Sequence, residues 1–135
     1  MPSKVFTAWV EKHRIVDGDT VEVLLDLGYR VYHRVMVRLN GIDAPESNRT
    51  ASKAAGMVAT EAVNRWIERH AAKTPLRVES FKLDKYGRSV GDILAGEESL
   101  AEWLLGEGFA KPSGPDGKRH EWTAEELERI TNGPR

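Results

Sequence analysis

Asp17-Gly18-Asp19-Thr20-Val21-Glu22-Val23-Leu24-Leu25-Asp26-Leu27-Gly28 is the stretch on which the fold turns. Asp-Gly is a strong turn pair. From Thr20 to Leu27, Val21, Val23 and Leu25 alternate with Thr20, Glu22 and Leu24. That two-residue period marks a strand with one buried face, and Gly28 stops it. Upstream, Lys4 to Arg14 is β-rich and runs into the same turn. Downstream, Val31, Val35, Val37 and Leu39 share a phase with His33, against Arg34, Met36 and Arg38. Three strands joined by short turns predict an antiparallel meander.

Beyond the meander, Glu46 to Lys53 is polar and irregular, as a surface loop would be. Ala59, Ala62, Val63, Trp66, Ile67 and His70 then recur at helical spacing, and Pro75 closes that segment. Leu76 to Leu83 and Val90 to Leu94 predict two more strands around a Tyr86-Gly87 loop. Ser99 is placed to cap a short helix carrying Leu100, Trp103 and Leu104, with Gly106 or Gly108 at its end. Residues 112–118 predict a loop. Thr123, with Glu126 at the capping-box position, predicts a last helix. The class is α+β. Five short strands that must avoid open edges predict a small closed barrel, with three helices, in a single domain spanning 1–135.

Composition sets the outer limits. The chain has 135 residues, 40% hydrophobic and 30% charged, as an ordinary globular protein does. Cysteine is absent, which excludes disulfides, thiolate zinc sites and cysteine nucleophiles. No apolar run is long enough for a membrane helix. The first residues lack an apolar stretch with a small-residue cleavage site, so the expectation is a cytoplasmic protein, a monomer with no membrane partner. Asn48-Arg49-Thr50 matches a glycosylation sequon by chance on that view. The net charge of −1 argues at first against nucleic acid. Residues 1–90, however, hold 15 Lys/Arg against 11 Asp/Glu, a net +4, while 91–135 hold 5 against 10, a net −5. A basic cleft in the first part is compatible with that split.

Three segments carry chemistry: Asp17 to Thr20, Arg38 to Glu46, and Asp84 to Arg88. Asp19 and Asp43 stand at strand ends and can converge. Oxygen donors without paired His or Cys favour Ca²⁺ or Mg²⁺ over zinc or copper. Arg38 and Arg88 are suited to bidentate phosphate recognition. Each feature also has a plain structural reading: Asp17-Gly18 as a turn, Asp43-Ala44-Pro45-Glu46 as another, and strand arginines as solvated charges. Their joint occurrence is what is specific.

Val16-Asp17-Gly18-Asp19-Thr20-Val21, Arg38-Leu39-Asn40-Gly41-Ile42-Asp43-Ala44-Pro45-Glu46 and Asp84-Lys85-Tyr86-Gly87-Arg88 resemble signature segments of the staphylococcal nuclease family. Gly108-Phe109-Ala110-Lys111 is similar to a further one, so the resemblance runs over residues 5–111 in order. It implies a five-stranded oligonucleotide-binding barrel (OB-fold) with three helices. It also implies a calcium-dependent nuclease acting on DNA, RNA or both and leaving 3′-phosphate ends. Asp19, Asp43 and the Ala44 carbonyl would be the Ca²⁺ ligands, although relatives often carry threonine at the Ala44 position. Glu46 would position or deprotonate water, Arg38 and Arg88 would bind the scissile phosphate, and Lys85 and Tyr86 would contact nucleotide phosphates. The loop after Glu46 is shorter than in the type member, and the tyrosine-bearing segment after Lys111 is missing. A non-catalytic nucleic-acid- or protein-binding barrel is the alternative, disfavoured because all five catalytic and acidic side chains are present.

Overall fold

The computed structural model describes residues 6–113 and 121–133. The expectations for Lys4, Val5 and the loop beyond residue 113 lie outside them. Long strands β1 (Phe6–Asp17), β2 (Thr20–Asp26) and β3 (Tyr32–Leu39) form the antiparallel meander, followed by the short β4 (Ile42–Asp43). Helix α1 (Lys53–Ala71) leads to β5 (Leu76–Leu83), β6 (Ser89–Ala95) and the two-residue β7 (Glu98–Ser99). Helix α2 (Leu100–Gly106), β8 (Lys111–Pro112) and α3 (Ala124–Asn132) complete the order.

The five long strands close on themselves. The sheet runs β3-β2-β1-β5-β6, and β3 returns to pair with β6, making an oligonucleotide-binding-type barrel with three helices, α+β. The closing pair is parallel, with Val37 opposite Ser89, Arg38 opposite Val90 and Leu39 opposite Gly91. Every other neighbour in the barrel is antiparallel. β4 and β8 form a separate two-stranded ladder.

The alternation on β2 holds: Val21, Val23 and Leu25 are buried, with Val37, Leu39, Val78 and Ile93 from neighbouring strands. On α1 the helical period buries Ala59, Ala62, Val63, Trp66 and Ile67, the face that packs toward the barrel and the other helices. Burying a side chain such as Ile67 contributes about 1.5–3 kcal/mol relative to exposure. The caps act as their residue types predict. Ser99 Oγ accepts from the Glu102 amide at 3.1 Å, and Thr123 with Glu126 forms a reciprocal capping box. No helix among the described residues is long and apolar enough to cross a membrane.

β1 runs to Asp17, into the expected turn, with register shifts between Val10 and Lys12 and between Ile15 and Asp17. Those irregularities hide the period in the sequence. One expectation needs correcting: Val31 and His33, placed on the apolar phase, are exposed. The hairpin between β2 and β3 leaves Leu27, Tyr29, Val31 and Tyr32 largely uncovered, so alternation there has no core to face.

Candidate active site

The β1–β2 turn and the end of β3 meet at one corner of the barrel. Thr20 sits opposite Arg38 in the β2–β3 ladder, and the Asp19 carbonyl accepts from the Leu39 amide at 2.8 Å. This pairing places Asp19 against Arg38 and against the chain that leaves β3. Asp19 Oδ2 accepts from the Ala44 amide at 2.9 Å, and Asp19 Oδ1 accepts from Thr20 Oγ1 at 3.1 Å. Arg38 Nη2 lies 2.5 Å from Asp43 Oδ1 and 3.6 Å from Asp19 Oδ2. Both aspartates are 0% exposed and the Arg38 side chain 14%. Arg38 Nη1 also donates to the Leu39 carbonyl at 3.1 Å.

Helix α1 backs this corner at very close range, because small residues let it. A Cβ added to Gly18 would come within 2.8 Å of Ala59 Cβ and 2.9 Å of Ala44 Cβ. One added to Gly56 would come within 2.6 Å of the Ser47 nitrogen. The loop that carries Glu46 is therefore seated on the helix. Asp17 Oδ1 accepts from the Ser47 hydroxyl at 2.8 Å and from its amide at 3.2 Å, while Ser52 Oγ donates to the Glu46 carbonyl at 2.6 Å. Glu46 Oε2 is ion-paired with Arg49 Nε at 2.6 Å. The expected irregular loop is real, but it is clasped at both ends.

Arg88 belongs to the hairpin that feeds β6. Asp84 Oδ1 accepts from the amides of Tyr86 and Arg88, each at 2.9 Å, and Asp84 Oδ2 accepts from Arg88 Nε at 2.6 Å. Desolvation acts to raise the Asp84 carboxyl, but the Arg88 amide and guanidinium and the Tyr86 amide outweigh it and hold it below the ordinary range. The Arg88 and Lys85 cations lie 5.4 Å and 5.2 Å from the centre of the exposed Tyr86 ring. Because Ser89 pairs with Val37, this hairpin opens next to the strand bearing Arg38.

Asp19, Arg38, Asp43 and Ala44 are thus joined by direct contacts. Lys85, Tyr86 and Arg88 form a second group on the neighbouring hairpin, and Glu46 a third on the clasped loop. Two residues beside Glu46 escape a reading of the sequence: Arg49, its ion-pair partner, and Trp122, which lines a cavity together with Glu46. The only local signal for Trp122 is its place just before the Thr123 cap.

The donor chemistry suits a hard cation. Two buried carboxylates bear on one positive nitrogen, with only oxygen atoms offered. Among the described residues no group of three or more His, Cys, Asp or Glu is arranged to hold a metal. An ion here would need backbone carbonyl and water oxygens as well, which Ca²⁺ accepts readily in flexible geometry.

Known proteins similar to this chain point to one family. The family model described as staphylococcal nuclease homologue matches residues 36–132. An uncharacterized 38.1 kDa protein of Capnoides sempervirens is 35% identical over 98 residues, covering 73% of this chain and 25% of that protein. Protein ParB of Escherichia coli is 35% identical over 100 residues, covering 67% of this chain and 46% of its own length. The thermonuclease of Staphylococcus hyicus is 30% identical over 102 residues, covering 73% of this chain and 55% of the relative. The chain thus aligns with between a quarter and about half of each of these relatives. With its closed barrel, its buried acidic corner and the match over residues 36–132, the chain belongs to the staphylococcal nuclease family.

Proposed function

We propose that this chain is a calcium-dependent nuclease that hydrolyses phosphodiester bonds of DNA, RNA or both and leaves 3′-phosphate ends. The observation that supports it best is the corner itself: two fully buried carboxylates held against Arg38, on the strand beside the Arg88 hairpin. Burying charge is costly, and a barrel gains little stability from it. A site that must gather a cation and a phosphate has reason to bear that cost. The relative named a thermonuclease favours the same reading.

Asp19, Asp43 and the Ala44 carbonyl would hold Ca²⁺, which supplies positive charge beside a non-bridging phosphate oxygen. Glu46 takes a proton from water and aims that water in line with the bond to the 5′ oxygen. Arg38 and Arg88 donate forked hydrogen bonds to phosphate oxygens as their charge grows, and Arg88 also supports the departing 5′ oxygen. Lys85 and Tyr86 hold flanking phosphates, and the 1–135 unit acts as a monomer.

Digestion of single- and double-stranded DNA and RNA tests the proposal. Cleavage is expected with Ca²⁺, little with Mg²⁺ and none in EDTA, because Mg²⁺ demands stricter geometry and dehydrates reluctantly. Equal turnover in EDTA would sink the metal assignment. Tight binding without cleavage under every condition would mark a binding module instead.

A further inference from the structure

Glu46 also forms part of the wall of a cavity of about 380 Å³, beside the clasped loop and the start of α3. That volume falls at the lower end of the range for small-ligand sites. Trp122 and Leu127 give the wall its apolar surface, and Arg49, Ser52 and Glu121 give it polar groups. The indole is fixed in place: Lys111 Nζ sits 4.5 Å from its ring centre and is itself bonded to the Glu121 carbonyl at 2.7 Å and to Glu126 at 3.2 Å. Lys111 takes no part in the cavity wall. An aromatic surface held this way loses little freedom when a ring stacks on it.

We propose that this cavity is the subsite for the nucleoside that keeps the phosphate after cleavage, with its base stacked on Trp122. The proposal rests on the nuclease reading above and adds to it the side of the substrate that Glu46 faces. Attack in line puts the departing 5′ oxygen opposite the water, so the nucleoside on that oxygen is directed away from Glu46. The other nucleoside, joined through an equatorial 3′ oxygen, can turn toward the Glu46 side. Charge selects the part that enters. Among the described lining residues, two carboxylates face one guanidinium, a balance that disfavours a phosphate inside, whereas the carboxylates can accept hydrogen bonds from the amino group of a base. Arg49, exposed and bonded to Glu46, is the cation among the described lining residues that can meet a phosphate.

The test uses short labelled oligodeoxynucleotides with one cleavable linkage, carrying an abasic residue upstream of it, downstream of it, or not at all. KM and kcat are measured with Ca²⁺ for the wild type, Trp122→Ala and Trp122→Phe. Binding is read by fluorescence anisotropy on phosphorothioate versions that resist cleavage. Losing the upstream base should weaken wild-type binding about 5- to 150-fold, the usual worth of one stacked base. Trp122→Ala should cause a similar loss on the intact oligonucleotide and little further loss on the upstream-abasic one, while Trp122→Phe keeps most of the affinity. Equal losses from Trp122→Ala on those two oligonucleotides, or coupling to the downstream base instead, would overturn the subsite. If Trp122→Ala fails to fold, the wild-type comparison of the two abasic placements still decides. Cleavage without coupling overturns the subsite alone. No cleavage of any oligonucleotide overturns the nuclease reading and the upstream assignment with it.

Discussion

Arg38 and Arg88 are the same residue held by an aspartate in two different ways. Arg38 is locked in the barrel corner, 14% exposed, between carboxylates that see no solvent. Arg88 stands on a hairpin at the rim, 31% exposed, with Asp84 four residues before it as its anchor. The corner is made by contacts between distant segments, the hairpin by contacts within one turn. A change in the corner should therefore damage fold and chemistry together, and a change in the hairpin should touch chemistry far more than fold.

The largest expected effect is that of Glu46→Gln, on the loop seated against the corner. Turnover should fall roughly 10²–10⁴-fold if proton transfer is its main task, because glutamine keeps the shape and cannot take the proton. Wild-type turnover on the same substrate would remove Glu46 from the chemistry. Next, Arg38→Lys and Arg88→Lys should each lower single-turnover rates by roughly 10²-fold with a smaller effect on binding, since lysine keeps the charge and loses the fork. Arg69→Lys, on the exposed face of α1, is the control and should change nothing. Denaturant titration sharpens the contrast: Arg38→Lys should also lose about 1–3 kcal/mol of stability, Arg88→Lys almost none. Equal stability losses would mean the two arginines are not held differently.

Ca²⁺ at about 100 times its Kd should stabilise the wild type by about 2.7 kcal/mol in calorimetry, and should do little for Asp43→Asn. The smallest effect belongs to the hairpin. Asp84 sits below the ordinary carboxylate range, so its contribution is full above about pH 3.9 and fades as pH falls through its lowered value. Asp84→Asn should cost up to about 1 kcal/mol at neutral pH. The gap from wild type should shrink in acid, and a gap that widened there would reverse the assignment.

Much of this was legible in sequence where local rules and burial agree. Val21, Val23 and Leu25 alternate because one face of β2 meets the core along its length. Ser99 and Thr123 cap because their hydroxyls satisfy amides three residues on. His33 was misplaced because the β2–β3 hairpin extends where no core covers it, a tertiary fact absent from any window. The β4–β8 ladder was invisible because two residues on each side carry no period. The three site segments stood out by residue type, and the resemblance gave them roles. The clasp between Asp17 and Ser47 and the setting of Trp122 depend on packing between segments far apart in the chain, and the Arg49–Glu46 pair forms within the loop that this clasp holds.

The parallel pairing of β3 with β6 has a consequence for how the protein comes to work. The β1–β2–β3 meander contains Asp19 and Arg38 and needs only short-range pairing to form. Arg88 reaches their side only when residues 89–91 zip onto residues 37–39, across a long stretch of intervening chain. Closing a long loop is slow compared with forming a hairpin, because its entropy is lost before the contacts form. On the proposed mechanism, cleavage competence should then follow barrel closure and lag behind the first strand pairing. In a refolding experiment, recovery of nuclease activity would serve as a clock for that one seam.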